Sequence, residues 1–188
     1  MEQSTLIAFV RKNLDILFVG LNPAKGSSHN RHYFSVNQSF WNQLFEAGLI
    51  IVPVDKSNAD EKIFGRTDFN FQDWAYGITD LVPKYAESDS KKIKPKHSDC
   101  ENLAVLIHDI SPRVVILLHS KVVKYFFDYV NYPLPPTNSG RIGNIIPGCT
   151  TMFFYIAFPH GNAIPSKTKV DNYKQVKQYL ISLSEIDK

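Results

Sequence analysis

Short apolar runs alternate along this chain with segments whose apolar residues recur every three or four positions. Ile16–Gly20, Val114–Leu118 and Met152–Phe158 are unbroken apolar runs of strand length, and Tyr76–Val82 holds a shorter one. Such runs fit strands buried on both faces of a sheet. Helical spacing appears at 4–12 (Leu6, Ile7 and Val10, with Ser4 as cap) and at 37–48 (Phe40, Leu44 and Phe45, with Gly48 as the stop). It returns at 98–110 through Leu103, Leu106, Ile107 and Ile110, behind a Ser98 or Asp99 cap and ahead of Ser111-Pro112. Residues 120–130 carry Val122, Val123, Phe126 and Phe127, and 169–183 carry Val176, Tyr179, Leu180 and Leu183. Residues 51–76 have no clear period, 84–96 read as a polar loop, and three prolines between 133 and 136 make 131–148 a long loop. Strands alternating with helices pair in parallel. The pattern therefore predicts an α/β fold, a three-layer α/β/α sandwich around a central, mainly parallel, roughly four-stranded sheet.

Composition narrows this picture without redirecting it. The 188 residues suffice for a single domain with its own core, expected to span 1–188. Hydrophobic residues make up 44% and charged residues 21%, and the net charge of +3 permits a polyanionic partner without demanding one. Two cysteines, Cys100 and Cys149, are too few for a disulfide framework, a four-cysteine zinc site or an iron–sulfur cluster. No metal and no cofactor is expected. Reduced thiols point to the cytoplasm, or to the nucleus in a eukaryotic cell. The apolar stretch Leu6 to Val10 is too short for a signal-peptide core or a membrane span. A monomer is expected.

The candidate chemistry lies where two apolar runs end. Gly20-Leu-Asn-Pro-Ala24 follows the first, and Phe158-Pro-His-Gly-Asn-Ala-Ile-Pro-Ser166 follows the last. Ligands of open α/β sheets bind outside the carboxyl ends of the strands, so these two loops suggest one active site.

These residues, with those between them, resemble the uracil-DNA glycosylase superfamily. Gly20 to Ala24 resembles its first motif. His32-Tyr33 followed by Phe40-Trp41 is similar to the H-Y…F-W stretch of the mismatch-specific uracil/thymine branch, and Tyr76-Gly-Ile-Thr-Asp-Leu-Val82 to that branch's middle segment. His160-Gly-Asn-Ala-Ile164 resembles the second motif, usually H-P-S-P-L or N-P-S-G-L. The likeness runs in order over roughly residues 14–183. The mismatch-specific branch is the nearest. Asn22 stands where the most active uracil enzymes carry Asp, and His160 in the second motif is more like the single-strand-selective branch. Gly161 and Asn162 replace the usual Pro and Ser.

The resemblance implies a metal-independent DNA glycosylase of base excision repair, hydrolysing the N-glycosidic bond of uracil or a related deaminated or mismatched base. Asn22 would orient the attacking water and His160 would donate a hydrogen bond to the departing base. Gly20, Leu21 and Pro23 would frame the substrate, Tyr33 or Phe34 would stack on the extruded base, and Asp80 would read its edge. Ile164 would wedge into the space the base vacates, with Gly161 and Asn162 shaping that loop. Ser166 and Lys167, with Lys169, would meet phosphates, as would the Gly26–Arg31 loop and the lysines at 91–96. Blander readings stand beside these. Asn22 would simply open an Asn-Pro turn, Asp80 would cap a turn, Ile164 would fold onto the core, and the lysine cluster would be solvated. Phe40 and Trp41 fit a helix's core face. The partner is DNA, with no membrane involved. A catalytically inactive DNA- or nucleotide-binding protein on the same fold is the first alternative. A hydrolase using His160 with Asp80 is the second, without a G-x-S-x-G elbow or a P-loop to support it.

Overall fold

The computed structural model describes residues 2–186. In chain order the elements are β1 (Glu2–Gln3), β2 (Ile16–Gly20), α1 (Lys25–Asn30), α2 (Ser39–Glu46), α3 (Ala59–Ile63), β3 (Tyr76–Asp80), β4 (Tyr85–Ala86), α4 (His97–Ile110), β5 (Val114–Leu117), α5 (Ser120–Tyr129), β6 (Gly140–Gly143), β7 (Met152–Tyr155) and α6 (Ser166–Ile186).

The four apolar runs lie side by side as parallel strands in one sheet, ordered β3-β2-β5-β7, and β6 adds an antiparallel edge beyond β7. Every residue of β2, β5 and β7 is buried. Alternate side chains feed two cores. Ile16, Phe18, Ile116 and Phe154 face the layer of α2, α3 and α6, whereas Leu17, Val19, Val115 and Phe153 face α4 and α5. The expected three-layer α/β/α arrangement is therefore what forms, with a fifth strand.

That fifth strand lies inside 131–148, which the prolines made a loop. β6 departs from regular pairing between Arg141 and Gly143, and only Gly140 of its four residues is buried. A four-residue, half-exposed edge strand carries no hydrophobic alternation to read. The polar stretch 84–96 likewise contains β4 and a short 3-10 turn at Ser90–Lys92.

The helix expected over 4–12 does not form. This segment runs extended along the edge strand β3: Phe9 N–H donates to Ile78 O and Ile78 N–H to Phe9 O, both at 3.0 Å, while β1 pairs with β4. The Leu6/Ile7/Val10 spacing is coincidental, since Ile7 is 82% exposed. The unpaired backbone of an edge strand offers hydrogen bonds that a nine-residue isolated helix cannot match. Gly77 permits the approach, because a Cβ there would collide with Phe9 O.

Candidate active site

The chain leaves β2 for β3 on one side and later returns to β5 on the other, so the connection reverses direction at β2. A crevice opens at such a point, outside the strands' carboxyl ends. Here it is a cleft of about 720 Å³.

The loop after β2 brings Asn22 into this cleft, half-buried. Its Nδ2 donates to Pro23 O at 2.9 Å and to Glu87 O at 2.8 Å. Both amide hydrogens are thus committed, and Oδ1 remains as the accepting atom. A simple Asn-Pro turn needs no tie to a residue sixty-five positions away; this side chain staples the β2 loop to the segment after β4.

Asp80 ends β3, in register with Gly20. It is buried, and its Oδ2 has no hydrogen-bond partner among the described residues. It caps no turn. Burial pushes its carboxyl up to about 7, with the adjacent Tyr33 hydroxyl pulling the other way. Gly20 is what admits it: a Cβ at that position would collide with Asp80 Oδ1. Burial, and then the Asp80 charge, push the Tyr33 phenol up. Tyr33 itself is held by its backbone, whose N–H donates to Asp60 Oδ2 at 2.8 Å, while Asp60 Oδ1 lies 2.8 Å from His32 Nδ1. Asp60 comes from α3, within a stretch that had no readable period.

An aromatic wall faces these groups. Phe34 stacks on Phe40 at 4.0 Å and 22°, and Phe158 lies 6.0 Å from Phe34. Phe40 and Trp41 are fully buried, as the helical spacing implied.

The loop after β7 supplies His160, Gly161 and Asn162 to the same cleft. His160 is exposed at its mouth, its ring 5.0 Å from that of Phe158. Shielding by the loop, and then the Lys169 ammonium, hold it below the usual histidine value, so it is neutral near pH 7. Asn162 braces the turn: its Nδ2 donates to Phe158 O at 2.8 Å and to His160 O at 3.2 Å, and its Oδ1 accepts from Ile164 N–H at 3.2 Å. Gly161 has φ +72°, a left-handed conformation suited to glycine, and this is where the loop departs from a Pro-Ser sequence. Beneath it, Pro159 O accepts from Gln43 Nε2 at 3.0 Å and from Lys169 Nζ at 3.2 Å.

Ten of the residues singled out in the sequence therefore line one cleft: Gly20 to Pro23, Tyr33 and Phe34, Asp80, and His160 to Asn162. Ile164, Ser166 and Lys167 lie outside it. Ile164 is half-buried in the adjoining loop, and the other two are exposed at the start of α6. Lys169 is a correction. It is 2% exposed and holds the Pro159 carbonyl, so it is not a phosphate contact. Gly26–Arg31 is not an open loop either, since α1 occupies most of it. The lysines at 91, 92, 94 and 96 are all exposed.

Glu87 and His119 are among the cleft residues that escaped the sequence reading. Glu87 Oε1 accepts from Asp89 N–H at 2.9 Å, and its Oε2 lies 3.8 Å from Lys25 Nζ. Nothing in the polar stretch around it marked it. His119 directly follows the apolar run ending at Leu118, and the strand-end rule that marks Asn22 applies equally to it. Among the described residues, no group of three or more His, Cys, Asp or Glu side chains is arranged to hold a metal ion. No helix among them is long and apolar enough to cross a membrane.

A family model of the uracil DNA glycosylase superfamily matches residues 7–184. The chain belongs to that superfamily. Members of the uracil DNA glycosylase superfamily are generally glycosylases that hydrolyse N-glycosidic bonds in DNA. The match reaches almost the whole chain, from within the extended segment before β2 to all but the last two residues of α6.

Proposed function

We infer that this protein is a monofunctional DNA glycosylase that removes uracil, or a related deaminated or mismatched base, from DNA. The observation that carries the reading is the meeting of the two motif loops, 138 residues apart between Asn22 and His160, in one cleft at the sheet's switch point.

Breaking the N-glycosidic bond leaves positive charge on the sugar and negative charge on the departing base. Asn22 Oδ1 accepts a hydrogen bond from a water and aims its lone pair at the anomeric carbon. A carboxamide cannot take the proton, so its contribution is position. The neutral His160 ring donates a hydrogen bond to the oxygen on which the base's charge collects. Asp80 receives the base edge against the Tyr33 and Phe34 wall, in a setting where its carboxyl exchanges between protonated and ionised forms near neutrality. Ile164 fills the vacated stack, and Ser166 and Lys167 at the start of α6 meet the backbone phosphate. No lysine stands at either motif's catalytic position, which supports hydrolysis without strand cleavage.

The test is a panel of oligonucleotides carrying U, T, hypoxanthine or xanthine opposite G or unpaired, treated with protein and then alkali, with and without EDTA. Alkali-labile sites at uracil that persist in EDTA are the expected result. Absence of release at any protein excess would favour the inactive DNA-binding alternative.

A further inference from the structure

One imidazole in the cleft takes no part in the chemistry above. His119 follows β5, the strand beside β2, and so flanks Asn22 on the side opposite Asp80. It is also the N-cap of α5: its Nδ1 accepts a hydrogen bond from Lys121 N–H at 3.0 Å. A ring nitrogen that accepts carries no hydrogen, so the neutral ring keeps its proton on Nε2. Burial, and then the Lys121 charge, hold the imidazole below its ordinary value, which keeps it uncharged at neutral pH. The ring is half-buried, with its centroid 6.2 Å from that of Phe158, and Nε2 has no hydrogen-bond partner among the described residues. The helix cap thereby fixes a neutral donor in orientation and tautomer, facing a cavity lined by aromatic rings.

We propose that His119 is a specificity-determining residue whose Nε2–H donates a hydrogen bond to a carbonyl oxygen of the base held in the cleft. The proposal rests on the glycosylase reading and extends it to a substrate class. A fixed donor accepts bases that present a ring carbonyl, such as uracil, thymine or hypoxanthine. It opposes bases that present an amino group at that edge, because two donors then face each other unpaired. A phosphate oxygen is the strongest competing acceptor in a nucleotide, and the local chemistry disfavours it here. The Lys121 amide, which would otherwise point at an anion from the first turn of α5, is spent on the imidazole. The ring is uncharged and packs on Phe158, whereas the exposed member of this corner is Ser120.

The test separates the ring from the cap. His119→Ser retains an acceptor suited to an N-cap and removes the imidazole, while His119→Ala removes both. Binding of free uracil is followed by NMR titration of the intact protein. Binding of a duplex carrying a tetrahydrofuran abasic site, which has phosphates and no base, is followed by fluorescence anisotropy. His119→Ser is expected to weaken uracil binding about tenfold and to change affinity for the abasic duplex less than twofold, with unchanged urea unfolding. Wild-type uracil affinity in His119→Ser would reduce His119 to a helix cap and overturn the proposal. So would a loss confined to the abasic duplex, which would assign the donor to a phosphate, or no saturable uracil binding by the wild type. Failure of the glycosylase reading is a separate outcome: wild-type protein that binds uracil through His119 but releases none from oligonucleotides.

Discussion

Replacing Asp80 by Asn tests the electrostatics of the cleft in a quantity that does not depend on activity. Asp80 is buried between Gly20 and Tyr33, and Oδ2 has no hydrogen-bond partner among the described residues. Its carboxyl rises from 3.8 to about 7 on folding. The native state therefore holds a proton that the unfolded chain releases across that window, and stability falls as pH rises from about 4 to about 7. Above 7 the full cost of a buried carboxylate is present. The window spans about three pH units, and at about 1.4 kcal/mol per unit the ceiling on this loss is on the order of 4 kcal/mol. Asn has the same shape and no titration. Its amide hydrogens meet no designed acceptor, so Asp80→Asn is expected to be less stable than wild type at pH 4 to 5 by about 1–3 kcal/mol, and to close that gap or reverse it by pH 8. The measurement is urea unfolding of both proteins at half-unit steps from pH 4.5 to 8, compared as the difference between their unfolding free energies. His119 and His160, both held below their ordinary values, act in the opposite direction by favouring the folded state as pH rises, and they cancel in that difference. A difference that stays flat with pH would refute the raised carboxyl and the reasoning from its burial.

Asn22→Ala is expected to fold and to lower single-turnover base release roughly a hundredfold. It should also lose about 1–2 kcal/mol in urea unfolding, since Pro23 O and Glu87 O forfeit their donor; a near-wild-type rate would remove it from the mechanism. Gly20→Ala should destabilise by about 1–3 kcal/mol through collision with Asp80. The Gly20→Ala/Asp80→Ala double variant should be less destabilised than the two single effects added, and strict additivity would show that the two positions do not compete for space. His160→Ala should slow the chemical step while leaving DNA affinity within about twofold, because that hydrogen bond strengthens only as charge develops on the base; a defect confined to affinity would sink the role. Ile164→Ala should weaken binding and release on duplex uracil substrates more than on single strands, where nothing needs unstacking. Equal losses on both would exclude a wedge.

What could be read from the sequence was what burial writes into it. β2, β5 and β7 are enclosed on both faces and show as unbroken apolar runs, and α4 and α5 bury one face and show the helical period. The loops after β2 and β7 stood out because their polar residues begin where those runs stop. Elements stabilised by backbone pairing alone left no such trace. β1, β4 and β6 are only two to four residues long and carry no unbroken buried run, and the chain before β2 is extended because β3 offers it an edge. Asp60 is invisible for a related reason. Its carboxylate serves two backbone N–H groups, of Tyr33 and Glu61, and the His32 ring, and none of these partners recurs at a spacing that sequence periodicity reports.

The site follows the same division, and this bears on where its chemistry is controlled. Asn22 and His160 sit in the loops, one half-buried and the other exposed, where a ligand can reach them. Two groups whose charged forms burial disfavours lie deeper, on the strand ends that flank β2: Asp80 on β3 and, just past β5, His119. Both groups are partly or wholly buried there, so a charge is costly and an uncharged hydrogen-bonding group is favoured. The exposed loop is then held from below by groups that do not line the cleft. Gln43 from α2 and the buried Lys169 from α6 share the Pro159 carbonyl one residue before His160. Both helices belong to the layer that packs on Phe18 and Phe154. A change in that core would therefore reach His160 through a backbone carbonyl, whereas the other face of the sheet reaches the cleft through the cap of α5 at His119. Each helical layer thus controls one polar end of the cleft, and Asn22, tied to Glu87 O, lies between the two.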